Sequence, residues 1–168
     1  MPLEPYTEDD SWLESFNVTL RKIIAVYKPD VIISQHGCDA HAFDPLSHMN
    51  CSMRIFAEIP AIIHELAHTY TNGRWIAFGG GGYDIYRVVP RAWSLVWLTM
   101  IDHPLARAAV AQEPQPLPDS WRARWTGQSP YELPLNWLDE PSSIAPMPRR
   151  DEITKKNRAT QAIAVQDL

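Results

Sequence analysis

The chain has 168 residues, 45% of them hydrophobic, with seven tryptophans, which is enough apolar side chain for one domain with a packed core. A net charge of −5 leaves no broad basic surface for a phosphate backbone and argues against nucleic acid as a partner. The acidic start MPLEPYTEDDSWLE lacks the positive and apolar regions of a signal peptide, and the longest apolar block, residues 92–101, falls well short of the roughly 20 residues of a membrane span. No membrane segment is expected, and the chain reads as cytoplasmic. Cys38 and Cys51 lack a C-x-x-C spacing and read as ordinary small residues in a reducing compartment.

In chain order, Thr7 and Asp10 have the spacing of a capping box, and Trp12, Phe16, Leu20, Ile23, Ile24 and Tyr27 recur at helical steps, which predicts an amphipathic helix ending before Pro29. The β-branched run at 30–35 predicts a strand buried on both faces, followed by a loop that carries His36, Asp39, His41 and Asp44. Ser52 is a cap for a second helix that reaches Tyr70 or Thr71, with a kink or late start at Pro60 and a stop at Asn72-Gly73. A second strand at 74–78 leads into four glycines, residues 79–82, and then a helix over 87–101. The alternation predicts an α/β fold, a parallel sheet flanked by helices, over residues 1–112. Residues 113–148 hold more than half of the 15 prolines and predict an extended, loop-rich wrap docked through Trp121, Trp125 and Trp137. Residues 149–168 form a polar tail, helical or disordered.

The second helix contains His64-Glu65-Leu66-Ala67-His68, the H-E-x-x-H spacing with which a metallopeptidase helix holds zinc and a general base. On that helix Ile55, Ile59, Ile62, Ile63, Leu66 and Tyr70 fall within roughly 80° and face the core, while His64 and His68 point to the opposite side with Ala57 and Ala61. The segment after His68 offers no third histidine at the peptidase spacing. The reading preferred is the polar face of a packing helix, although such a pair is able to pick up metal.

In open parallel sheets, ligands collect beyond the carboxyl ends of the strands. Two loops qualify, that of His36, Asp39, His41 and Asp44, and that of Gly79-Gly80-Gly81-Gly82-Tyr83. The glycine run lacks the Lys and Ser/Thr of a phosphate loop. Taken singly, Asp39 reads as a turn cap and Tyr83 as a buried aromatic.

Together, PDVIISQHGCDAHAFDPL and GRWIAFGGGGYDIYRVVPRAW resemble the carboxyl-terminal half of the zinc-dependent histone deacetylase family, and most closely its bacterial acetoin-utilisation branch. The resemblance implies a deacetylase/arginase-like fold and removal of acetyl groups from lysine or small acetylated amines. It matches Asp39 to a zinc ligand and Tyr83 to the tyrosine that polarises the amide carbonyl. It also places Gly81 and Gly82 along the acyl-lysine channel. His36 and His41 match no function of the family, and His41 is read as a residue that assists from behind the zinc ligand.

The family's D-x-H pair and tandem histidines lie upstream of the matched region. None of the six histidines here, at 36, 41, 48, 64, 68 and 103, are adjacent. One of three expected zinc ligands remains, so the chain alone is expected to be inactive and to hold zinc weakly or not at all. Met1 directly before PLEP suggests a truncated reading frame or an expressed fragment that begins midway through the parent domain. Missing strands would leave apolar surface open to self-association or to an upstream-half partner. The alternatives are a non-enzymatic interaction module and, less favoured, the H-E-x-x-H peptidase.

Overall fold

Helix α1, Asp9–Tyr27, forms where apolar residues recur every three or four positions, and it begins with Asp9 and Asp10 at the positive end of its dipole. It stops at Lys28, whose backbone is left-handed (φ 49°) and whose N–H donates to the Ile24 carbonyl just before Pro29. The capping box does not form. Glu8 takes the cap position without a side-chain bond, while Thr7 is buried, donates to the Glu4 carbonyl and accepts from Asn157. That contact, rather than a cap, uses the threonine hydroxyl. Leu13 and Ile24 are buried, whereas Ile23 and Tyr27, expected in the core stripe, lie on an exposed flank.

The computed structural model describes residues 1–168. Its strands β1, Ile32–His36, and β2, Trp75–Gly79, pair in parallel, with Ile32 opposite Trp75 and His36 opposite Gly79. Helix α2, Met53–Tyr70, makes the crossover between them. Ser52 caps it by accepting from the Arg54 N–H, and Asp9 of α1 in turn accepts from the Ser52 N–H and hydroxyl, so the first turns of α1 and α2 are locked together. The helix runs through Pro60, which is buried. Helices α3, Val89–Met100, and α4, Pro104–Val110, follow and pack on α2. Helix α4 was not anticipated.

The core lies among α1, α2, α3 and α4, around Met53, Ile55, Phe56, Leu95 and Ala109, and includes Cys38 and Cys51 beneath the first loop. Both cysteines are unpaired. Residues 113–148 are not wholly extended, because α5, Asp119–Trp125, interrupts them. Trp137 packs against the core. The polar tail contains α6, Arg150–Ala164, which lies on α1 and is fastened there by Asn157 to Ser11 and by Arg158 to Glu14.

The expectation that β1 is buried on both faces is corrected. Trp75 and Gly79 meet His64 of α2 and Trp93 of α3 on one face. On the other face Ile33 is 62% exposed, its partner Ile76 46% and Phe78 58%. The run of β-branched residues reflects a strand suited to cover on both sides, and nothing in this chain covers the second one. No helix is long and apolar enough to cross a membrane.

Candidate active site

Because β1 and β2 are parallel neighbours, the loops leaving their carboxyl ends emerge side by side. They touch through backbone. The Cys38 N–H donates to the Gly81 carbonyl at 2.6 Å. A Cβ on Gly81 would overlap the Asp39 carboxylate, and one on Gly82 would overlap the Cys38 sulfur, so these two positions require glycine for want of space. Gly81→Ala is therefore expected to push Asp39 aside and lower the unfolding midpoint by the equivalent of about 1–3 kcal/mol, the usual cost of overpacking. An unchanged midpoint in thermal denaturation would show that the loops are not in contact.

Asp44 fixes the second loop from the first. Its buried carboxylate accepts the Tyr83 N–H at 2.8 Å through one oxygen and the Leu46 N–H at 2.9 Å through the other. One residue on, Asp84 accepts from the Arg87 N–H at 2.7 Å and leads the chain into α3. Arg87 lies over the Phe43 ring at 4.4 Å, another tie between the loops. Tyr83 itself is 50% exposed, so its phenol stands at the surface rather than in the core.

A buried network supports the first loop from below. His41 is fully buried and its Nδ1 accepts from the Phe43 N–H at 3.0 Å, which puts the ring proton on Nε2, 3.0 Å from Asp139 Oδ2. The same carboxylate accepts from the Met53 N–H at 2.7 Å and from buried Arg91 at 2.9 Å. Burial by itself would raise the Asp139 pKa. The hydrogen bond from His41, the charge of Arg91 and the Met53 amide outweigh it and hold the carboxyl well below the usual range. His41 thus braces the loop of Asp39 instead of facing the open side.

His36 turns the other way. Its Nε2 meets Ser34 Oγ at 2.7 Å, its carbonyl accepts from Trp93 Nε1 at 2.9 Å, and burial lowers its pKa. The Cys38 thiol, between the loops, is pushed up to about 12 by burial and then by the carboxylates of Asp39 and Asp44, which makes it a poor nucleophile.

Of the residues singled out in the sequence, the fold brings Asp39, Gly81 and Gly82 together, with Tyr83 next in the chain. Asp139 and Arg91 had no such signal: they are 98 and 50 residues from His41 in the chain, by 139 − 41 and 91 − 41. Nowhere do three His, Cys, Asp or Glu side chains converge as a metal site. Zinc bound by three protein ligands therefore does not fit the residues of this chain alone.

His64 and His68 lie elsewhere. They sit in the last turns of α2, near Trp75 at the start of β2, and thus at the opposite end of the strands from Asp39. The side of α2 that carries Ala57 and the histidines, expected to face solvent or another surface, does both: α3 and α4 pack on α2, Ala57 is buried and His64 half-buried, while His68 is exposed. Glu65, the general base in a peptidase reading, is held by both terminal guanidinium nitrogens of Arg21.

Residues 1–100 match the histone deacetylase domain. The chain belongs to the histone deacetylase family. Within it, the chain falls in the acetoin-utilisation branch. It is 46% identical over 98% of its length to the acetoin utilization protein AcuC of Bacillus subtilis (strain 168), covering 41% of that protein. It is also 46% identical over 94% of its length to the protein of the same name from Staphylococcus xylosus, covering 39%, and to that of Staphylococcus aureus (strain MRSA252), again covering 39%. The chain thus spans about two-fifths of the length of these relatives. The short parallel sheet with its helices is this deacetylase-family chain's share of the fold.

Proposed function

We propose that this chain supplies one part of a deacetylase catalytic centre, completed by residues from outside it. Asp39 is one zinc ligand, and the remaining ligands come from the completing segment. The Tyr83 hydroxyl donates a hydrogen bond to the carbonyl oxygen of an acetylated lysine or small acetylated amine, where negative charge develops as the amide is attacked. Gly81 and Gly82 leave room for the acyl-amine chain beside the Asp39 loop. The observation that carries this reading is the seating of the Asp39 loop against the Gly81–Gly82 loop at the ends of adjacent parallel strands, with Asp44 fixing the Tyr83 backbone.

Metal content tests the assignment of Asp39. Co-expressed with the remainder of the Bacillus subtilis relative, this chain is expected to form a complex that retains one equivalent of zinc through desalting, and the Asp39→Ala complex to lose it. Equal zinc in both complexes would remove Asp39 from the ligand set.

The open sheet face supports a further part of the reading, that the chain associates through it with the completing segment or, when alone, with itself. Ile33, Ile76 and Phe78 make an apolar patch of the kind that marks interaction surfaces. Sedimentation of the chain alone at micromolar concentration is expected to show a dimer or larger species, shifted toward monomer by Ile76→Asp with Phe78→Asp. A clean monomer for the unaltered chain would contradict this part.

A further inference from the structure

The histidine pair of α2 is used by nothing described so far. His64 and His68 are one helical turn apart, and their Nε2 atoms face each other at 2.9 Å, with ring centroids 4.6 Å apart. They open into a cavity of about 280 Å³ whose other walls include Ala61 of α2, Thr99 at the end of α3, Asp102, and Ala106 and Val110 of α4. Without metal, the pair makes a hydrogen bond in which one Nε2 donates and the other accepts, the roles set by the tautomers.

We propose that His64 and His68 form a bidentate site for a divalent transition-metal cation, Cu(II) or Ni(II) by preference, separate from the deacetylase loops. The geometry of the pair carries this. Small side-chain rotations bring two nitrogens 2.9 Å apart onto one cation, and Cu(II) stands highest among the divalent first-row ions for nitrogen donors, with Ni(II) next below it.

The surroundings agree. His64 is steadied on one side by the Trp75 ring, 6.2 Å away. Asp102 in the cavity wall is paired with Arg107, and Glu65 with Arg21, and no third His, Cys, Asp or Glu side chain converges with the two histidines, so water completes the sphere. The site also lies at the amino-terminal ends of the strands, while Asp39 and Tyr83 follow their carboxyl-terminal ends.

Titration of the full chain with CuCl₂, followed by the electron paramagnetic resonance spectrum of the bound ion, tests the proposal. The expected result is one saturable equivalent with nitrogen hyperfine structure from two equatorial imidazoles, lost in His64→Ala and in His68→Ala and retained in Asp39→Ala. Circular dichroism checks that each variant keeps its helices, and His68→Asn serves as a second variant if the alanine form does not fold. Unaltered copper binding in the His64→Ala, His68→Ala double variant, or no saturable binding by the parent chain, would overturn the proposal.

Discussion

Replacing Asp139 with alanine is expected to cost roughly 3–5 kcal/mol, because it strands the buried Arg91 guanidinium without its partner. The same change removes the acceptor for His41 Nε2 and for the Met53 N–H, so the first turn of α2 and the loop of Asp39 lose a common anchor. Denaturant unfolding of the parent and Asp139→Ala chains measures the cost. A difference below about 1 kcal/mol, the size of an exposed ion pair, would show that the network does not hold the loop.

The pH dependence follows from the same carboxylate. Its folded pKa is depressed, so the unfolded chain takes up a proton first as the pH falls. The stabilisation is present above the unfolded value of about 3.9 and is lost progressively below it. The parent chain should therefore lose stability more steeply than Asp139→Ala below about pH 4, and the two acid limbs should converge.

The second large effect is on chemistry. In the completed protein, Tyr83→Phe is expected to lower kcat by about 10²–10³, the usual effect of removing one donor from a developing oxyanion. Stability should change little, because the Tyr83 side chain is half exposed and its backbone is held by Asp44 through the N–H, which phenylalanine keeps. A fall in activity with an unchanged unfolding midpoint therefore separates the role of the hydroxyl from a packing defect.

Much of this arrangement was legible in the residues because local rules coincide with the tertiary structure there. Ser52 caps α2 as its side chain and position require, and Asn72-Gly73 ends that excursion with two left-handed residues. The strands are legible from their β-branched and aromatic runs, and the close approaches of Asp39 to Gly81 and of Cys38 to Gly82 account for the last two glycines of the run. The capping box at Thr7 failed because Asn157 of α6, far away in sequence, claims its hydroxyl. The exposed face of β1 was hidden for a related reason. A hydrophobic run states what a strand is suited to pack against, not whether the covering element belongs to the same chain.

The polar scaffold was the least legible part. Asp44 lay within the loop already singled out, yet its acceptance of the Tyr83 N–H depends on the pairing of β1 with β2. Asp139 carried no signal at all, because it sits in a proline-rich stretch whose course is set by what it packs on. His41 shows the same limit: a supporting role behind Asp39 is readable from its place in the loop, but the partner it braces against, Asp139, is not.

The most direct test of the central claim is acetate release from an acetyl-lysine peptide by this chain co-expressed with the remainder of the Bacillus subtilis relative. The complex is expected to release acetate, while this chain alone, and complexes carrying Tyr83→Phe or Asp39→Ala, release little or none. A correctly assembled complex that keeps full activity with Tyr83→Phe, or that is inactive with every residue of this chain intact, would contradict the assignment of Asp39 and Tyr83 to a deacetylase centre.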